Sequence, residues 1–146
     1  MTLENLLGIG RLKRHSPTQK ELSRLLQSAS RSIADARREE LQPNSRLDLA
    51  YKGIMQCALV ALMASGFRPS TSEPGHQQTT IQSLPKTIGL PAQKLVLYDG
   101  FRRARNLGDN EGVEAETQVV VECIAAAERL LGEVRAWLKK NPAKLA

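Results

Sequence analysis

The sequence predicts an all-α protein, an antiparallel bundle of four main helices with one or two short helices. Apolar residues recur at spacings of three and four along the long segments, and no stretch alternates apolar and polar residues as a half-buried strand does. Aromatic residues make up 3% of the chain, so the core must be built from Leu, Val, Ile and Ala. Because 146 residues suit one domain, we expect a single helical domain over 1–146, with 1–15 as a loose basic N-terminal arm.

The first two main helices are predicted from caps and spacing. Ser16-Pro17 places a capping residue before a proline at the first helical position, and Pro43-Asn44-Ser45 begins the second helix. The second helix should end at Ser65, with Gly66 as its C-terminal cap. The inner face of the first helix is expected to hold Leu22, Leu25, Leu26, Ala29, Ile33 and Ala36, and that of the second Leu47, Tyr51, Ile54, Ala58 and Leu62.

The second half of the chain adds two more main helices. A turn-rich connection over 68–77 leads to a short helix at about 77–84, and a helix is predicted from Ala92 to Arg105 with Leu97, Phe101 and Ala104 inside. The segment LGDNEG that follows is predicted to be a loop. The last helix, over 113–140, has the most regular apolar stripe: Val120, Ile124, Ala127, Leu131, Val134 and Leu138, spaced 4, 3, 4, 3, 4.

Charge and cysteine content narrow the classes of function. The net charge is +6, and the range 11–46 holds nine basic and four acidic residues. This excess of positive charge can attract polyanions, and the alternative is that the basic residues only form a solvent-exposed helix face. The longest apolar run, CALVALMA, has eight residues and is too short to cross a bilayer. Cys57 and Cys123 lie in apolar helical stretches, as reduced core thiols do. We therefore expect a cytoplasmic protein without a membrane span, a metal site or a cofactor.

The segment GFRRARNLGDNEG, Gly100 to Gly112, is the strongest candidate site. Helical spacing puts Tyr98, Arg102 and Arg105 on one face, where arginines could bind phosphate. The alternative is structural, since cations at a helix end complement its negative terminus and could pair with Asp109 or Glu111. Spacing alone favours this structural interpretation.

The order of several short motifs resembles the HEPN superfamily of small helical bundles. Asp48-Leu49-Ala50-Tyr51 is similar to a D-x-x-Y element, and Gly75-His76 opens a short helix. Arg102-Arg103-Ala104-Arg105-Asn106 is similar to an R-x-x-R-N element before the final helix. The resemblance covers about residues 45–138.

The resemblance implies a dimeric, metal-independent endoribonuclease site. Active HEPN members use an arginine, a polar residue directly after it and a histidine separated from the arginine by four to six residues, and two protomers share the cleft. Arg105 and Asn106 match the first two positions, whereas Asn110, Glu111 and Gly112 stand where the histidine is expected. The degenerate catalytic set is thus Arg105, Asn106 and Asn110, and an amide cannot accept the proton that a histidine would.

The sequence therefore predicts a HEPN-like homodimer that binds RNA or nucleotide phosphate through Arg102, Arg105, Tyr98 and His76. The resemblance points to a prokaryotic toxin–antitoxin, stress or phage-defence setting. One alternative is an active ribonuclease that uses His76 or Glu111 as its base. The other is a non-enzymatic module that binds a protein partner, such as a nucleotidyltransferase-type antitoxin.

Overall fold

A computed structural model describes residues 2–72 and 74–141, and it confirms the all-α class, with 72% helix and 4% strand. The four main helices are α2 (Gln19–Ala36), α3 (Pro43–Ala64), α6 (Gln93–Glu111) and α7 (Thr117–Lys140). The short elements are α1 (Leu3–Gly8), β1 (Leu12–Arg14), β2 (Phe67–Pro69), α4 (His76–Gln82) and α5 (Leu84–Thr87).

Helix α3 is the centre of the fold. Pro43 occupies its first turn as predicted, and Ser65 is its C-cap. From Leu47 to Ala64 most of its residues are buried against α2, α6 and α7. By length and composition α3 could cross a membrane, but 67% of its most apolar window is buried within the protein. That burial is typical of the core helix of a soluble protein.

Helices α2 and α3 pack antiparallel, with small residues allowing a close approach. Arg46 donates a hydrogen bond from Nε to the Ala36 carbonyl at 2.8 Å, and Gln56 donates to Ser28 Oγ at 3.0 Å. Between these two contacts the position advances by ten residues along α3 and goes back by eight along α2, so the two helices run in opposite directions. Helix α2 begins later than predicted, because Thr18 rather than Ser16 accepts the capping hydrogen bond, from the Glu21 amide at 3.1 Å.

Helix α7 closes the core with the predicted stripe. All six stripe residues are buried, and Trp137 is partly buried against the same core. The helix begins at Thr117, four residues after the predicted start. Cys57 and Cys123 are free and buried, and desolvation raises the pKa of each thiol to about 12.

The N-terminal segment corrects two predictions. Residues 3–14 form α1 and β1 rather than a loose arm, and β1 pairs antiparallel with β2 in the register Leu12↔Pro69, Lys13↔Arg68, Arg14↔Phe67. Leu12 and Phe67 join Leu62 in a small second core that also contacts α1. The predicted elements were helices alone and did not include this strand pair, because strands of three residues are too short for an alternation of apolar and polar residues to reveal them.

The prediction that the arginine-rich helix stops at Arg105 is also wrong. Helix α6 continues through LGDNE to Glu111, and Gly112, with φ of 67°, ends it in the left-handed conformation that favours glycine. Gly108 leaves room for Asn44 beside the helix, because an added Cβ would lie 2.8 Å from Nδ2 of Asn44 and that side chain would have to shift. Asn44 also binds the Val113 carbonyl and the Ala115 amide, which fastens the α6–α7 connection to α3.

Three smaller predictions have mixed outcomes. The short helix predicted at 77–84 is observed as α4, and a further short helix, α5, follows Ser83 and extends beyond the predicted range. On α6, Phe101 is buried and Ala104 packs against the core as expected. Leu97, however, is 36% exposed rather than inside.

Candidate functional site

The candidate site lies where α3 and α6 run side by side. Asn44 of α3 lies beside Gly108 of α6, and Asp48 lies beside Arg105, so the two helices are antiparallel. Asp48 and Tyr51 are three residues apart on α3 and therefore project from one face of that helix. This arrangement brings the D-x-x-Y element against the R-x-x-R-N element, although some 50 residues separate them in sequence.

Arg105 is held by three groups at moderate distances. Its Nε lies 3.5 Å from Asp48 Oδ1 and 3.8 Å from Asp109 Oδ2, and its guanidinium carbon lies 5.0 Å from the centre of the Tyr51 ring. Such a cation–π contact contributes roughly 0.5–1 kcal/mol at an exposed site and more when desolvated. The aromatic ring therefore supports the guanidinium plane without using its N–H groups.

The N–H groups of Arg105 are incompletely used. Its side chain is 28% exposed, yet among the residues described it donates no hydrogen bond of good geometry. By contrast, Arg37, Arg38, Arg46 and Arg102 each donate one from Nε at 2.7–2.8 Å. A largely enclosed guanidinium that keeps free donors can accept an anionic ligand without first breaking a strong ion pair.

Four of the predicted residues line one cavity, of about 260 Å³, on the α4 side of this arginine. They are His76, Arg102, Arg105 and Asn106, and Tyr51, Gly75, Gln77 and Gln78 complete the lining. His76 comes from the first turn of α4, while the others of the four come from α6. The short helix thus brings His76, Gln77 and Gln78 to the same cavity as the arginines.

Arg102 is tied to its own helix more firmly than Arg105 is. Its Nε donates to Asp99 Oδ1 at 2.8 Å, and Arg103 Nε lies 3.0 Å from Asp99 Oδ2. The hydrogen bond from Arg102 is the main cause that lowers the pKa of Asp99, which therefore stays ionised. Arg102 still has its terminal nitrogens to offer, but Arg105 is the less committed of the two.

Two carboxylates compete with any anion for Arg105. Burial and the nearby charge of Asp109 raise the pKa of Asp48, and Arg105 opposes that rise. Asp48, Lys52, Asp109 and Arg105 border a further depression on the other side of the arginine. Sequence reasoning missed Asp48 and Tyr51 as site residues, although their D-x-x-Y spacing was the available signal.

Asn110 lies apart from the group. It is exposed in the last turn of α6, and five residues of continuous helix rotate it about 140° from Arg105. Glu111 ends the same helix and is also exposed. Asn110 and Glu111 were predicted to lie in a loop, whereas both belong to the continuous helix α6.

Tyr98 lies within the protein rather than on the arginine cavity. It is 3% exposed and lines a second cavity directly beside the first. Burial also raises the pKa of its hydroxyl, which stays protonated at neutral pH. For metals, the described residues contain no group of three or more His, Cys, Asp or Glu side chains placed to hold an ion.

No family model, curated protein or solved structure matches this chain. The resemblance to the HEPN superfamily therefore stays a prediction from the motifs.

Proposed function

We propose that the protein binds RNA or nucleotide phosphate groups at the α4–α6 cavity. The observation that carries this proposal is the state of Arg105, which is mostly enclosed, supported by the Tyr51 ring and without a hydrogen bond among the described residues. An oxyanion held in two-pronged fashion would satisfy these donors. Arg102, Asn106 and His76 line the same cavity and add further donors.

The local charges set a limit on the affinity of the cavity for phosphate. Arg102, Arg103 and Arg105 are balanced by Asp48, Asp99 and Asp109, so the net charge of these six side chains is zero. The overall charge of +6, with an excess in 11–46, would supply the long-range attraction to a polyanion. Binding should therefore weaken with added salt.

The biological setting of the proposal rests on the HEPN resemblance. On this basis we propose that the protein is a cytoplasmic homodimer in a prokaryotic toxin–antitoxin, stress or phage-defence system. A nucleotidyltransferase-type protein is one candidate partner. Light scattering tests the dimer directly. A species that stays monomeric at micromolar concentration would remove the shared cleft from the proposal.

The binding test compares two arginines of the same helix. Arg105→Ala should weaken binding of a labelled single-stranded RNA by about 10- to 100-fold, because a charge-assisted hydrogen bond to phosphate is worth roughly 1.5–3 kcal/mol. Arg103→Ala is the matched control, since Arg103 is 74% exposed and does not line the cavity. Equal affinities for the two variants would remove Arg105 from the binding site.

A second candidate function, metal-independent RNA cleavage, is supported by one observation. His76 and Arg105 line the same cavity, which makes His76 the candidate base although the usual histidine is missing. Incubation of RNA with the protein and a chelator tests it, with His76→Ala as the decisive variant. Cleavage that His76→Ala abolishes would establish the ribonuclease, and binding without cleavage would leave the binding function alone.

A further inference from the structure

A second cavity, of about 290 Å³, lies directly beside the arginine cavity. Tyr51, Ile81, Leu95 and Tyr98 form its apolar walls. Its polar lining consists of Gln78, Gln82, Asp99 and Arg102. Tyr51, Gln78 and Arg102 border both cavities, so a ligand could occupy the two together.

The two tyrosines in this cavity have unused hydroxyl groups. Tyr51 and Tyr98 are each 3% exposed, and within the described residues neither hydroxyl makes a hydrogen bond to the protein. Among the described residues, Gln56 Oε1 is the one side-chain polar atom that is fully enclosed and has no hydrogen-bond partner. The two tyrosine hydroxyls also have no partner in the protein, so they are not fully enclosed and each keeps some contact with open space. Both tyrosines line this cavity, and buried tyrosine hydroxyls normally have a hydrogen-bond partner.

The shape and chemistry of the cavity indicate a particular kind of ligand. Its volume is at the small end of the range for small-molecule sites, and its apolar walls with a few polar groups are typical of such sites. A ligand that fills it needs an apolar body, with polar atoms at its edge for the glutamine amides and tyrosine hydroxyls. A ligand that also reaches Arg105 needs a negative group on one side.

A nucleotide combines these three properties. We propose that the tyrosine-lined cavity binds an unpaired nucleobase whose adjoining phosphate lies on Arg102 and Arg105. This inference rests on the proposed phosphate-binding function and adds a base pocket to it. Gln78 and Gln82 are one turn apart on α4 and present donors and acceptors to the base edge.

The pocket makes the protein selective for single strands. A base in a duplex has its edge paired and its faces stacked, so it cannot enter a cavity between helices, whereas a base in a loop or single strand can. Binding of an isolated nucleotide uses the same chemistry. Competition by a free nucleoside monophosphate separates the two sources: a monophosphate that competes as well as RNA identifies a free nucleotide as the ligand, and weak competition identifies a single strand.

The primary experiment uses the unaltered protein and two probes of equal length and charge. One probe is a single-stranded oligouridylate with a fluorescent label, and the other is the same oligomer with abasic sites along its length; an oligoadenylate pair is run in parallel. In at least one pair, we expect the abasic probe to bind more weakly than the base-bearing probe by a factor of about five or more, because loss of a base contact with an aromatic side chain commonly weakens binding by that much. The same sequence in a duplex should bind no better than the abasic probe.

A cavity-filling variant locates the effect. Leu95→Trp places an indole in the cavity, and Val96→Trp is its matched control because Val96 is the next residue and 76% exposed. Leu95→Trp should bind base-bearing and abasic probes equally, at the affinity of the parent for the abasic probe. Val96→Trp should keep the parent's discrimination. Gln78→Ala, a milder change at the rim, should reduce the discrimination and covers the case in which Leu95→Trp does not fold.

The outcomes separate the base pocket from the phosphate site. If the parent binds abasic and base-bearing probes equally in both pairs, with an affinity that Arg105→Ala reduces, the base pocket is wrong and the phosphate site stands. If no probe binds, both proposals are wrong. If the parent prefers the base-bearing probe over the abasic probe, and Leu95→Trp and Gln78→Ala show the same preference as the parent, the base binds elsewhere and the inference fails.

Discussion

Substituting Gly53 by alanine tests the packing that positions Tyr51. Gly53 lies on the buried face of α3, and an added Cβ would come within 2.6 Å of Cγ1 and 3.0 Å of Cδ1 of Ile33 on α2. Real Cβ atoms do not approach so closely, so Ile33 or the two helix axes must move. We expect this movement to cost about 1–3 kcal/mol, the usual penalty for overpacking a core.

The intrinsic helix preference acts in the opposite direction. Alanine is favoured over glycine in a helix interior by about 0.8–1.0 kcal/mol, so Gly53→Ala should lower the free energy of unfolding by up to about 2 kcal/mol. Gly132→Ala, in α7, is the matched control because an added Cβ there meets no atom within 4 Å. It should raise the free energy of unfolding by about 1 kcal/mol.

Urea denaturation of the two variants measures the difference, which we expect to be about 1–3 kcal/mol, since the helix preference is common to both. Ile33→Ala combined with Gly53→Ala completes a double-mutant cycle. Removing the ethyl group that causes the clash should give a favourable coupling energy within the usual range of about 0.5–3 kcal/mol. If Gly53→Ala has the same free energy of unfolding as Gly132→Ala and shows no coupling to Ile33→Ala, the close approach of α2 and α3 is refuted.

Three further predictions concern single groups. Cys57 and Cys123, with pKa values of about 12, should resist alkylation at pH 8 in the folded protein and react fully in denaturant; rapid labelling of the folded protein would contradict their burial. Lys13→Glu replaces the like-charged cross-strand pair of Lys13 and Arg68 by a pair of opposite charge. It should raise the free energy of unfolding, measured by urea denaturation, by about 0.2–1 kcal/mol. A loss of stability would count against the observed register. Asp48→Asn removes a carboxylate that competes for the central arginine and should tighten RNA binding at pH 7 by up to about fivefold. Because burial raises the pKa of Asp48, its carboxylate is protonated at a higher pH than that of an ordinary aspartate. As the pH falls through this range, the RNA affinities of the parent and of Asp48→Asn should converge. A ratio of the two affinities that does not change with pH would argue against this competition.

Repeated spacing made much of the helical structure predictable. The stripe of α7 repeats at 4, 3, 4, 3, 4, and all six of its residues are buried because one helix face alone meets the core. Pro43 marks the start of α3 for a local reason, since its fixed φ suits the first helical turn and its missing N–H would be unpaired there in any case. Both signals depend only on neighbouring residues.

Glycines misled the prediction of where α6 ends. LGDNEG has the composition of a loop, but Gly108 is helical and Gly112 alone ends the helix. The reason is tertiary, because Gly108 leaves space for Asn44 of α3, and Asn44 in turn fastens the segment after α6. No local pattern distinguishes a glycine that breaks a helix from one that admits a neighbouring side chain.

Local patterns in the amino-acid sequence suffice to predict that this protein is helical, where most of its long helices lie, and which residues of the R-x-x-R-N element share a face. The neighbours of those residues, by contrast, depend on how the helices pack. Asp48, Tyr51 and His76 come to Arg105 from α3 and α4, and Asn110 is turned away because α6 does not stop. The strand pair Leu12–Arg14 and Phe67–Pro69 likewise joins segments more than 50 residues apart. Helical periodicity is a local property of the chain, whereas the choice of which helix faces meet depends on how the whole core packs.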